Sequence, residues 1–310
     1  MMYLPPIPPD AHKYSRGSLL VLAGSARFPG AALLSALAAA RTGAGYVTLA
    51  TPASVAPIAQ AHLLSIPVIA AKERSEAGEG SGVFVPDALS AILAQVNHVD
   101  AVVCGPGLTA SLDALDFAVQ VARSVSVPLL LDADALRVVG MPAGANNPLH
   151  EIHPACASFD PFAESPESSF TQPASRLFVE DRETPLLLTP HGGELKRLLA
   201  ATGANDAAEL ARHSNAVVVA KGPETLIVSP TRSHVSASAT PALAKAGTGD
   251  VLSGIIGSLL AQGMEPFEAA VTGVELHSAA GRIAERRYGM RSVMAEDVVE
   301  AISEAIQQSD

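Results

Sequence analysis

The 310-residue sequence has no tryptophan, eight phenylalanines and four tyrosines, so aromatic rings make up only 4% of it. Its net charge is -11 and only 16% of its residues are charged. It therefore lacks the basic surface and stacking rings of a nucleic-acid binder. Its two cysteines, Cys104 and Cys156, make neither a metal nor a redox pattern. Cys104 closes an apolar run and reads as packing. No uninterrupted apolar run reaches the roughly 18 residues of a membrane span. The opening Met-Met-Tyr-Leu-Pro-Pro has no charged start followed by an apolar block, as a signal peptide would. A soluble, cytoplasmic protein is expected, with neither nucleic acid nor membrane as partner. Two nucleotide signatures are also missing. There is no GxxxxGK[ST] loop and no GxGxxG after the first apolar run, which argues against a P-loop enzyme and an ordinary dinucleotide dehydrogenase.

What is present is 48% hydrophobic residues, enough for a large core. They lie in alanine-rich segments punctuated by glycine, a composition suited to layered α/β packing. Residues 1–17 are proline-rich and polar and read as an arm; residues 18–306 read as one domain. Ser18-Leu19-Leu20-Val21-Leu22-Ala23 is a continuous apolar run ended by Gly24-Ser25, the mark of a strand buried on both faces. A loop over 24–30 then opens a helix from Ala31, closed near Thr42-Gly43, and a second strand follows at Gly45-Tyr46-Val47-Thr48-Leu49-Ala50. This is a βαβ unit.

The pattern repeats. Ala101-Val102-Val103-Cys104 ends in Gly105-Pro106-Gly107-Leu108, and Pro128-Leu129-Leu130-Leu131 ends in Asp132-Ala133-Asp134. Pro185-Leu186-Leu187-Leu188-Thr189 ends in Pro190-His191-Gly192-Gly193-Glu194, and Ala216-Val217-Val218-Val219-Ala220 ends in Lys221-Gly222-Pro223. Gly, Asp, His and Lys thus collect at one rim, where an open parallel sheet binds ligands. Residues 70–87 read as an exposed loop. Residues 141–183, rich in Pro, Ser and Ala, read as a long irregular insertion, and its His150 and His153 as no metal site.

The chain is organised around Ala246-Gly247-Thr248-Gly249-Asp250-Val251-Leu252-Ser253-Gly254. Val251, Leu252, Ile255, Ile256, Leu259 and Leu260 recur on one helical face, so Asp250 falls in the first turn. The glycines and the helix N-terminus make an anion site. Asp250 is then either a base taking a proton from an attacking hydroxyl or an offset to the helix dipole; this stretch alone does not separate the two. His277 lies in the helix after Pro266 and reads as a packed helix histidine.

These motifs, with His12-Lys13, Pro29-Gly30-Ala31 and Arg41-Thr42-Gly43-Ala44-Gly45, span residues 12–281 and resemble the ADP-dependent NAD(P)H-hydrate dehydratase family of the ribokinase-like superfamily. The resemblance implies a three-layer α/β/α fold with a central, mainly parallel sheet. It implies a lyase that uses ADP and Mg2+ to phosphorylate the ring hydroxyl of (S)-NADHX or (S)-NADPHX. Phosphate is then lost to restore the reduced cofactor, with AMP released. It makes Asp250 the base, places Ala31, Gly107, His191 and Asp250 against the hydrate, and places Lys221, Gly222, Pro223, Glu224, Thr225, Gly247, Thr248 and Gly249 along the nucleotide. Asp132 and Asp134 are read as organising magnesium or capping a helix, and Glu194 as a cap or facing the metal. A homo-oligomer, with a tetramer among its forms, is implied. Many bacterial relatives carry an epimerase domain ahead of this one, so a separate epimerase is expected to work beside this chain. Two rivals share the glycine turn: a ribokinase-like ATP-dependent kinase of a small alcohol or vitamin precursor, and a nucleotide-binding sensor without turnover, which would be expected to lack the aspartate.

Overall fold

The computed structural model describes residues 4–74, 82–141, 179 and 182–309. Among these residues nine strands form one sheet: β1 (Ser18–Leu22), β2 (Tyr46–Pro52), β3 (Val68–Ala71), β4 (Ala101–Cys104), β5 (Leu129–Leu131), β6 (Leu186–Leu188), β7 (Ala216–Ala220), β8 (Thr225–Val228) and β9 (Ser233–Ser236). Their order across it is β3-β2-β1-β4-β5-β6-β7-β8-β9. Pairings from β3 through β7 are all parallel, and β8 and β9 are antiparallel additions. The reversal follows from connection length. Residues 221–224 leave room only for a hairpin, whereas a parallel partner needs a crossover of a dozen residues or more.

The helices are α1 (Pro29–Thr42), α2 (Ala56–His62), α3 (Ala88–Leu93), α4 (Leu112–Ser124), α5 (Gly192–Thr202), α6 (Ala207–Ser214), α7 (Thr248–Ala261), α8 (Pro266–Tyr288) and α9 (Ala295–Gln307), with a 3-10 helix at Ala133–Gly140. None among the described residues is long and apolar enough to cross a membrane. Alternation along each strand sorts the core into two layers. Leu19, Val21, Leu130 and Leu187 face the layer of α1, α7, α8 and α9, while Leu20, Leu22, Leu129 and Leu188 face α4, α5, α6 and the 3-10 helix. Both faces of the sheet are therefore covered, which is why its central strands read as unbroken apolar runs.

The chain winds outward from β1 to β3, returns to place β4 beside β1, and then winds the other way. The crevice at that reversal lies beyond the carboxyl ends of β1 and β4. There the loops touch: Gly24 N donates to the Pro106 carbonyl at 2.8 Å.

Two differences from the sequence reading concern packing. The sequence predicts an exposed loop over residues 70–87, but β3 runs to Ala71, Glu73 bridges to Phe84, and Phe84 is fully buried, stacked on Phe117. Val83-Phe84-Val85 is an apolar run of only three residues, too short to show a period. The N-terminal arm lies against the domain, with Lys13 over the Tyr14 and Tyr46 rings. Arg16 donates to the Gly43 carbonyl at 3.1 Å. Most of the expected 141–183 insertion, with His150, His153 and Cys156, lies outside the described residues. Cys104 is buried, and burial pushes its thiol up to about 12, in keeping with packing.

Candidate active site

The site is built where α7 begins. Gly247 adopts φ +91, and a β-carbon there would lie 2.8 Å from Leu34 Cδ1 and 2.9 Å from Ala295 Cβ. Only glycine makes this left-handed turn while wedged between α1 and α9. The Thr248 hydroxyl donates to the carbonyls of Leu243 at 2.7 Å and Lys245 at 2.8 Å, so its side chain braces the turn. Thr248 N donates to the Lys245 carbonyl at 3.4 Å, while the backbone N–H groups of Gly249 and Asp250 are left without an intrahelical partner. Ser35 on α1 donates to the Asp250 carbonyl at 3.1 Å and to the Ala31 carbonyl at 2.9 Å, fixing the starts of α1 and α7 side by side.

Behind Asp250 lies a buried polar network. Lys221, one residue beyond β7, donates from Nζ to Asp132 Oδ1 at 2.9 Å, and Ser253 on α7 donates to Asp132 Oδ2 at 2.7 Å. The Thr189 hydroxyl donates to the Leu131 carbonyl at 3.3 Å, next to the same carboxylate. A β-carbon on Gly249 would lie 3.5 Å from Lys221 Nζ, so the ammonium sits beside the anion turn. His191 and Lys221 are bridged as backbone neighbours, with Lys221 N donating to the Pro190 carbonyl at 2.9 Å. His191 caps α5: its Nδ1 accepts from Gly193 N at 3.0 Å, and Glu194 Oε2 accepts from His191 N at 2.8 Å, a reciprocal capping box.

Charge is unevenly shared. Burial works to raise the pKa of Asp132, but the Lys221 charge and the hydrogen bonds from Ser253, Lys221 and Thr189 outweigh it and hold the carboxyl below its usual range. Burial works to lower that of Lys221, which Asp132, Glu194 and Asp250 nonetheless hold above the ordinary lysine value. Glu194 is raised by burial and by Asp132, against Lys221 and His191. Asp250 is pushed up to about 7 by burial first, then by Asp132 and Glu194, against the pull of Lys221. A carboxyl with that value is matched to proton transfer near neutral pH.

The structure brings together Asp250, Gly247, Thr248, Gly249, Lys221, Asp132, Glu194 and His191. Ala31 and Gly107 form the opposite wall. Gly107 has φ +68, and a β-carbon on it would lie 2.8 Å from both Ala31 Cβ and the Phe28 carbonyl. Gly222, Pro223 and Glu224 are exposed in the β7–β8 turn, while Thr225 is buried and donates to the Gly222 carbonyl at 3.2 Å. Asp134 pairs with Arg137 at 3.0 Å along the 3-10 helix. Asp132's oxygens are bonded and Glu194 is in its cap, so no group of three or more His, Cys, Asp or Glu side chains among the described residues forms a ready metal cage. Such a donor set suits a magnesium ion that arrives on nucleotide phosphates, since Mg2+ ordinarily takes one or two carboxylates beside phosphate oxygens. Ser253, Ser35 and Thr189 went unassigned from sequence, although a serine on an apolar helix face is a readable sign. His277 is packed as expected: burial takes its imidazole down to about 4.

A carboxylate in the first turn of a helix behind a glycine turn, on the carboxyl rim of a three-layer, mainly parallel sheet, defines a ribokinase-like fold. The NAD(P)H-hydrate dehydratase family matches residues 19–148 and 169–304, and the chain belongs to that family. The ADP-dependent (S)-NAD(P)H-hydrate dehydratase of Xanthomonas campestris pv. campestris is 31% identical over 302 residues, covering 94% of this chain and 89% of that one. The bifunctional NAD(P)H-hydrate repair enzyme of Salinibacter ruber is 33% identical over 300 residues, covering 95% of this chain and 49% of that one. This chain thus spans about half the length of the first curated relatives it matches. A crystal structure of the ADP/ATP-dependent NAD(P)H-hydrate dehydratase from Bacillus subtilis, co-crystallised with ATP/Mg2+, matches with a TM-score of 0.73 at 26% identity, covering 99% of this chain and 95% of that one.

Proposed function

We propose that this protein dehydrates the S epimer of hydrated NADH or NADPH, using ADP as phosphoryl donor. The observation that carries the reading is Asp250, held near neutral pKa in the first turn of α7, within the influence of Lys221. In this reading the carboxylate takes the proton of the ring hydroxyl as its oxygen attacks the terminal phosphorus of ADP, and AMP leaves. The N–H groups of the glycine turn and the Lys221 ammonium stabilise the charge on the transferring group. The ring hydroxyl is a poor leaving group; as a phosphate ester it departs as phosphate with the C–O electron pair, and loss of a proton from the adjacent ring carbon restores the double bond.

Ala31, Gly107 and His191 hold the hydrate, and Gly222, Pro223, Glu224 and Thr225 lie along the nucleotide. Magnesium bound with the nucleotide supplies charge neutralisation on its phosphates. An enzyme that takes one epimer needs an epimerase activity to replenish it. A cytoplasmic homo-oligomer belongs to the same reading.

The test is purified protein with S and R hydrate, magnesium, and either ADP or ATP, followed by absorbance of the reduced nicotinamide. A rise that requires nucleotide and leaves the R epimer behind supports the reading and identifies the donor. No rise, with nucleotide consumed on a small alcohol and a stable phosphorylated product, overturns it in favour of a kinase. No consumption of either nucleotide favours a sensor.

A further inference from the structure

Beyond the network around Asp250, the loop before α1 borders the β1–β4 crevice. Phe28 occupies the position before α1, where serine, threonine, asparagine or aspartate would cap the helix. Its side chain makes no cap hydrogen bond. The residue is 44% exposed, an unusual place for a large apolar ring in a chain so poor in aromatics. It is not loosely placed: Phe28 N donates to the Ser25 carbonyl at 3.0 Å, and a β-carbon on Gly107 would lie 3.1 Å from Phe28 Cβ. Ala31 is less than one helical turn further along α1, tied through Ser35 to the Asp250 carbonyl. The ring therefore stands about two turns of α1 before Ser35, the residue that holds the Asp250 carbonyl, at the topological switch point.

Arg27 adds charge. Its guanidinium lies over the Phe28 ring at 5.2 Å, and among the described residues it has no ion-pair partner. Stacking keeps a guanidinium in place without using its donors, which stay available for a phosphate.

We infer that Arg27 and Phe28 form the outer clamp of the hydrate pocket: the Phe28 ring packs against the hydrated pyridine ring, and Arg27 meets a phosphate of the same dinucleotide. This rests on the proposed dehydratase function. It also explains why the loop before α1 carries an exposed aromatic and a cation rather than a cap. The phosphate is either the pyrophosphate common to both hydrates or the 2′-phosphate of NADPHX.

The experiment compares F28A, F28Y and R27Q with wild type. KM and kcat are measured for each hydrate and for ADP, binding of the reduced products NADH and NADPH is followed by nicotinamide fluorescence, and melting temperature is recorded. Loss of the ring contact in F28A is expected to raise the hydrate KM about tenfold, with kcat and the ADP KM changed much less, and F28Y should restore it. R27Q should raise the hydrate KM several-fold: equally for both hydrates if it meets the pyrophosphate, and for NADPHX alone if it meets the 2′-phosphate. Either pattern supports the clamp. Unchanged hydrate KM values in both F28A and R27Q would overturn it while leaving the dehydratase reading intact. A joint loss of kcat, ADP affinity and melting temperature would do the same by making the pair structural. Wild-type protein that neither turns over hydrate nor binds the reduced dinucleotides would overturn both.

Discussion

The Lys221 ammonium donates to Asp132 at 2.9 Å across 89 residues of sequence, tying the carboxyl end of β7 to that of β5. Asp132 is only 2% exposed and cannot discharge into solvent. Lys221 is thus held upright beside Gly249, where it faces both the buried carboxylate and the place assigned to the transferring phosphate.

Removing one partner of such a pair leaves a buried charge uncompensated. Lys221→Met should destabilise the fold by about 3–5 kcal/mol, read as a lower urea midpoint. Lys221→Met combined with Asp132→Asn should recover much of that loss without recovering activity. Additive losses in a double-mutant cycle would show that the two side chains do not act as a pair.

If Asp250 is the base, kcat/KM must rise with pH as the carboxyl ionises, with a midpoint near the value of about 7 to which burial and its acidic neighbours raise it. Asp250→Asn should retain nucleotide binding and lose turnover by orders of magnitude. A flat profile through neutral pH in the wild type, or an active Asn variant, would remove Asp250 from the mechanism.

The same raised pKa has a cost in stability. Between its ordinary value of 3.8 and about 7, the folded state keeps a proton that the unfolded chain has released, so Asp250's contribution to stability is lost as pH rises through that window. Asp250→Asn should therefore melt above the wild type at pH 8, by a margin that shrinks as the pH falls toward 4. Equal melting curves at both ends would mean that Asp250 is not perturbed in the folded protein.

Gly254, nearly two turns into α7, lies against α1. A β-carbon there would come within 2.2 Å of the Ser35 carbonyl oxygen, and backbone cannot swing aside as a side-chain tip can. Gly254→Ala should cost at least the roughly 1–3 kcal/mol typical of overpacking. It should also lower activity, because Ser35 is what holds the Asp250 carbonyl. Wild-type stability and rate in this variant would show that α1 and α7 have room to separate.

Much of the rim was legible because strand ends announce themselves. An apolar run buried on both faces must stop where the chain turns polar or glycine-rich, so Gly105, Asp132, His191 and Lys221 could be assigned to one edge before any packing was known. Asp250 could be placed in the first turn of a helix for the same reason: periodicity starts one residue after it. The sequence leaves Glu194 open between cap and metal; in the structure its Oε2 accepts from His191 N and its own N–H donates to His191 Nδ1, so it takes part in the cap of α5. The burial of Phe84 is not legible because Val83-Phe84-Val85 is too short a run to show a period.

The sequence by itself determined the α/β class, the strand and helix of each unit, and the residue types delivered to the carboxyl rim, since all of these follow from local periodicity and turn chemistry. Only the tertiary structure decided which rim residues meet. The pairing of Lys221 with Asp132, the support from Ser253, and the upward shift of Asp250 depend on β5, β7 and α7 converging from distant parts of the chain. That convergence is set by strand order and two-sided helix packing. Charge at a site depends on distance and burial, and neither is a property of any one segment.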